Sequence, residues 1–101
     1  MINVVATLST KPGSGATLEA AVAEARSTVL ANPRCSRYDL QQKRRSQTDY
    51  VMLEAWESTE ALKEHTGSEA FKRLGGTLAE VLAGAPEILV LDPVGEQVPL
   101  A

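Results

Sequence analysis

Residues 50–65, YVMLEAWESTEALKEH, run from a strand pattern into a helix pattern and hold the only Trp and the only His of the chain, Trp56 and His65. Side chains alternate along a strand, so Tyr50, Met52, Glu54 and Trp56 share one face and Val51, Leu53 and Ala55 the other. Apart from Glu54 both faces are apolar, and a strand of that kind asks for cover on both sides. Ser58 then serves as an N-cap, with Glu60 in the first turn where the helix dipole favours an acid. A helix is expected through Leu62 to His65, interrupted at Thr66-Gly67.

Working outward, INVVATLS (residues 2–9) is β-branched and apolar, and KPGSG breaks it. In GATLEAAVAEARSTVLANP the residues Leu18, Val22, Ala25, Val29 and Leu30 fall on one helical face, and Asn32-Pro33 stops the helix. CSRYDLQQK (about 35–43) and the strand from about 48 to 56 read as a hairpin with a charged tip. Strict alternation in CSRYDL puts the Tyr38 hydroxyl on the face opposite Cys35. Ser68 caps SEAFKRLGGTLAEVLAGAP, where Phe71, Leu74, Leu78, Val81 and Leu82 recur at helical spacing. Gly75-Gly76 weakens that helix by roughly 1 kcal/mol per Gly against Ala, and a kink is expected there. EILVLD closes the pattern as a short strand.

The order βαββ(αα)β predicts an α+β fold, a ferredoxin-like split βαβ sheet with its helices on one face. Residues 1–95 form one domain, with 96–101 as a C-terminal tail. The first, third and last strands are apolar on both faces, and the helices of so short a chain cover only one. A second copy of the sheet is the simplest cover for the other, which predicts a homodimer with sheets packed face to face.

The chain has 101 residues, a net charge of -3 and a pI near 5.1. That balance argues against nucleic acid or an anionic membrane surface as partner, and KRRSQTD, three cations without interleaved aromatics, reads as a solvated hairpin tip. No apolar run suffices to span a membrane, and the N-terminus lacks the basic region and cleavage site of a secretory signal, so a cytoplasmic location is expected. One Cys and one His cannot build a zinc cluster within one chain, and no phosphate-cradling glycine pattern is present, so neither metal nor nucleotide cofactor is expected.

Five residues are candidates for a site. His65 borders the apolar face of its helix, either as a core-edge His or as a base in a cavity between helix and sheet. Glu54 is a carboxylate in an apolar strand. It needs a partner such as Arg37, Arg73, Lys43 or a hydroxyl, and reads either as half of a structural salt bridge or as an acid–base group with a raised pKa. Trp56, Tyr38 and Tyr50 are amphipathic rings suited to core or to the wall of a pocket for a planar substrate. Cys35 has no activating base beside it in sequence and reads as a buried thiol.

Together, VVATLSTKPG, CSRYDL, DYVMLEAWES with EALKEH, SEAF and APEILVLDPV resemble the antibiotic biosynthesis monooxygenase family over residues 2–94. The most specific part is E-x-W-x-S-x-x-A-L-x-x-H, Glu54 to His65. The resemblance implies a small dimeric α+β barrel. It also implies one of the family's chemistries: cofactor-independent oxygenation of quinols and phenols, haem degradation, or isomerisation of a phosphorylated sugar derivative. The catalytic Trp and His of the haem-degrading branch would fall at His65 and Gly75, so that branch is disfavoured. At Asn32-Pro33-Arg34-Cys35 relatives carry Glu-Pro-Gly-Cys, a departure that puts a cation at Arg34.

The first expectation is thus a cofactor-independent monooxygenase of a small phenol or quinol, with His65 as base, Glu54 as its orienting partner and Tyr38, Trp56 and Tyr50 around the substrate. The rivals are an isomerase of a small carbonyl compound using the same His, and a non-catalytic dimeric ligand-binding or stress-response protein.

Overall fold

In the computed structural model, which describes residues 1–98, the chain forms β1 (Ile2–Ser9), α1 (Gly15–Leu30), β2 (Cys35–Gln42), β3 (Asp49–Trp56), α2 (Thr59–Thr66), α3 (Glu69–Val81) and β4 (Glu87–Leu91). The last three residues of the expected tail, 99–101, lie outside the described residues. The strands make one antiparallel sheet in the order β2-β3-β1-β4. Each helical crossover therefore joins two parallel strands with one antiparallel strand between them, the split βαβ topology of a ferredoxin-like α+β fold.

Register decides which face becomes core. Ile2, Val4, Ala6 and Leu8 pair with Trp56, Glu54, Met52 and Tyr50, so the even residues of both central strands share a face. The helices cover that face and bury every one of these residues except Glu54, which stays half-buried. Helix α1 lays Leu18, Val22, Ala25 and Val29 against it. Both predicted caps form: Ser58 Oγ accepts from the Ala61 N–H and Ser68 Oγ from the Phe71 N–H, each at 3.2 Å.

Two local features bear on the sequence reading. Helix α3 runs unbroken through Gly75-Gly76, anchored by buried Leu74 and Val81 on either side. It stops at Val81 because Leu82 turns extended and bridges Thr10, while the Ala83 N–H donates to the Ser9 carbonyl. In β2 a bulge between Cys35 and Arg37 shifts the alternation, so that Cys35 lies opposite Trp56 and Tyr38 opposite Glu54. The extra residue puts Tyr38 and Cys35 on the same, helix-covered face rather than on opposite ones.

The outer face is uncovered among the described residues. Val5, Val51 and Leu53 are half-buried there, and Leu89 and Leu91 are 51% and 43% exposed. No helix of the described residues is long and apolar enough to cross a membrane.

Candidate functional site

Between the sheet and helices α2 and α3 lies a cleft of about 180 Å³. Its floor is Val4 and Ala6 of β1 with Glu54 of β3, its walls are Leu62, His65, Thr66 and Phe71, and Ile88 and Val90 of β4 form its outer edge. Glu54, His65 and Thr66 are the polar side chains in an otherwise apolar lining.

Strand alternation aims Glu54 inward, between Val4 on one neighbour and Tyr38 on the other. None of the expected cations reaches it: Arg37 Nε bonds Asp39 at 3.0 Å, and Arg73 bonds Glu24 at 3.1 Å. Arg37 also sits on the opposite sheet face, because Ala55 is its partner on β3. The donor is instead Trp56, two residues along the same face, whose Nε1–H donates to Glu54 Oε1 at 2.9 Å. A neutral donor fixes the carboxylate without neutralising it. Burial pushes the Glu54 pKa up, and the indole bond pulls it only part of the way back.

His65, in the last turn of α2, is 7% exposed and boxed by aromatic rings. Trp56 lies against it at 4.5 Å between centroids and 31° between planes, while Tyr38 at 5.4 Å and Phe71 at 5.0 Å meet it edge to face. This wrapping strips the imidazole of water and lowers its pKa to about 4, so it is neutral at pH 7. Its Nε2 is enclosed and has no hydrogen-bond partner among the described residues. A buried polar atom left in that state costs about 1–3 kcal/mol. The ring also borders a groove of about 340 Å³ on its far side, reaching Thr28, Asn32 and Ser68.

Four of the five residues singled out from sequence thus come together: Glu54 and His65 line the cleft, with Trp56 and Tyr38 packed behind them. Tyr38 is 2% exposed, and burial raises its pKa, which keeps the hydroxyl protonated. Tyr50 is not brought to the cleft. Its hydroxyl donates to Glu19 Oε2 at 2.7 Å and lies 2.6 Å from where a Cβ on Gly15 would stand, so it fastens the start of α1 to β3. Cys35 is buried with Sγ 3.3 Å from the Arg37 carbonyl, and burial pushes its pKa up. Arg34 bonds Glu64 at 2.9 Å and Glu57 at 3.3 Å, tying the start of β2 to α2. Sequence reasoning left Phe71, Leu62, Thr66, Ile88 and Val90 out of the site. Phe71, the only Phe of the chain, was visible as part of the α3 stripe, but nothing local says that the stripe faces β4 across an opening.

The family model for antibiotic biosynthesis monooxygenase matches residues 1–75. The chain belongs to this family. Among solved structures, an antibiotic biosynthesis monooxygenase-type protein of Caulobacter crescentus CB15 is 38% identical over 93% of this chain and 90% of its own, with a TM-score of 0.87. Rv0793 from Mycobacterium tuberculosis is 26% identical over 96% of this chain and 98% of its own, with a TM-score of 0.88. PA3566 from Pseudomonas aeruginosa is 26% identical over 93% and 94%, with a TM-score of 0.85. Comparison with curated proteins gives no match. The run Glu54 to His65, within the matched residues, spans the floor of the cleft and one of its walls.

Proposed function

We propose that the protein is a cofactor-independent monooxygenase that oxidises a small phenol or quinol in this cleft, acting as a homodimer. The observation that carries the reading is the placing of two titratable groups, Glu54 and His65, with opposed pKa shifts in a cleft that is otherwise apolar. Opposed shifts separate the roles of such a pair.

For a phenol the overall change is ArOH plus O2 giving a quinone and water, with no external reductant. A base removes the O–H proton, and the electron-rich phenolate passes one electron to O2. The two radicals combine into a ring peroxide anion, which takes the proton back from the base to become a hydroperoxide. Loss of the ring C–H proton then expels hydroxide from the O–O bond and leaves a C=O, and the proton and hydroxide make the water. Glu54 is better matched to the first step than His65, since a base works best with a pKa near the working pH. Its pKa is raised toward that range, whereas an imidazole with a pKa of about 4 takes a proton poorly at pH 7. This exchanges the roles expected from sequence: Glu54 takes the proton, Trp56 holds it in place, and neutral His65 offers an uncharged polar edge beside the developing oxyanion. The apolar walls exclude water, which strengthens these interactions.

The dimer is supported by the outer sheet face, where Leu89 and Leu91 stand exposed beside Val5, Val51 and Leu53. An oxygen electrode with a panel of quinols tests the activity. Uptake of one O2 per molecule consumed, lost in a folded Glu54→Gln variant, is expected. Turnover without uptake would instead identify an isomerase.

A further inference from the structure

Phe71 lines more than the cleft. Phe71, Gly75 and Leu78 of α3, with Leu82 just past its end, form one stripe at steps of four, three and four. With Ala85 and Pro86 they border a second apolar groove of about 470 Å³ that has no charged side chain in its lining, and Phe71 belongs to both spaces. Beyond Pro86, β4 leads back to the cleft and turns Ile88 and Val90, each 57% exposed, toward it. From Phe71 to Leu82 the helix rises about 16 Å.

Two observations say what this groove is for. The cleft of about 180 Å³ is close to a ring in capacity, since an apolar cavity of about 150 Å³ accommodates benzene. Any substituent on the ring must therefore leave the cleft, and the path along α3 stays apolar. The second observation is Gly75. A Cβ there would meet nothing within 4 Å among the described residues, so no packing contact with them calls for glycine. A glycine inside a helix lowers the folding equilibrium several-fold relative to Ala. A larger side chain at Gly75 would stand in the groove between Phe71 and Leu78.

We infer that this groove holds the apolar tail of the ligand whose phenolic head lies by Glu54 and His65, so that the substrate is an alkyl- or prenyl-substituted phenol or quinol rather than a bare ring. The inference rests on the phenol reading above. The occupant is a tail of the same molecule because the groove adjoins the cleft, with Phe71 lining both.

Binding of 4-alkylphenols, from p-cresol to long-chain homologues below their micellar concentrations, tests it through the fluorescence of Trp56. The dissociation constant should fall by up to about fourfold per added methylene while the chain runs along α3, and then level off. Gly75→Leu should abolish that gradient, whereas Gly76→Leu, at an exposed position of the same helix, should keep it. If p-cresol binds and longer homologues bind no better, the tail inference is wrong and the phenol reading survives. If n-alkanols show the gradient and no phenol is preferred, the groove stands and the phenolic head is wrong. If no member binds, both fail. A change of oligomeric state in Gly75→Leu, without any chain-length gradient in the parent protein, would assign the groove to a second copy and overturn the inference.

Discussion

Replacing His65 by Phe separates the cost of burying this imidazole from everything else in the core. The Phe ring preserves the contacts with Trp56, Tyr38 and Phe71 but carries no Nε2 to leave unpartnered and no proton to gain. At pH 7.5 the variant should be as stable as the parent or more stable by about 1 kcal/mol, since an enclosed unsatisfied polar atom costs about 1–3 kcal/mol. The gap should then widen in acid. In the folded protein the His65 pKa is lowered from 6.5 to about 4, so between those values the unfolded chain binds the proton and the folded one does not. The stability this group carries is complete above pH 6.5 and is lost as pH falls toward 4. The shift corresponds to about 3 kcal/mol at most, at roughly 1.4 kcal/mol per pH unit, a large share of the 5–15 kcal/mol that holds a typical domain. Urea unfolding followed by Trp56 fluorescence, at one protein concentration and several pH values, gives the difference curve. Glu54 is present in both proteins, so its slope cancels to first order. Parallel curves for parent and variant would refute the account. So would a variant that is 2 kcal/mol or more less stable at pH 7.5, because the imidazole would then be satisfied in the native state.

Glu54→Gln retains an acceptor for the Trp56 N–H and removes the charge; because burial raises the folded pKa of Glu54, its contribution to stability is present in acid and lost as pH rises. Thermal melts should therefore show Glu54→Gln gaining on the parent as pH rises above 4.5, the ordinary carboxylate value, while its oxygenase activity is lost. Gly15→Ala should cost about 1–3 kcal/mol because its Cβ would meet Tyr50 Oη at 2.6 Å. In a Tyr50→Phe background most of that cost should vanish, and a double-mutant cycle by chemical denaturation measures the coupling. Gly76 has open space around it within α3, so Gly76→Ala should raise stability by about 0.5–1 kcal/mol, or several degrees in a calorimetric melt. Leu89→Asp should convert a dimer into a monomer in sedimentation at micromolar concentration, and a parent that sediments as a monomer would remove the face-to-face dimer.

The strands and helices were legible because period-two and period-3.6 patterns are local, and the caps at Ser58 and Ser68 mark their helices chemically. The order of elements was enough for the split βαβ topology. What escaped was non-local or depended on one inserted residue. The bulge beside Cys35 moved Tyr38 across the sheet without any glycine to announce it. The Glu54 partner was sought among cations, yet strand alternation already placed the Trp56 N–H on the same face. His65 was visible as a core-edge residue, but its aromatic box draws on three other elements, and only the fold brings Tyr38 and Phe71 to it. Tyr50 shares strand parity with Trp56 but stands at the other end of β3, which is why the two rings do different work. Ile88 and Val90, at the edge of the cleft, lie on the face that the helices cover, and periodicity in a strand apolar on both faces carries no information about which face that is.

The central claim is that an anion formed beside Glu54 is oxidised by O2 itself. Mass spectrometry of the product formed from an alkylhydroquinone under isotopically heavy O2 tests it most directly, with Glu54→Gln as the comparison. The account predicts a product carrying one heavy oxygen atom, formed by the parent and not by the folded variant. Enzymatic turnover that leaves the product unlabelled, or labelling that proceeds equally well in Glu54→Gln, would contradict it.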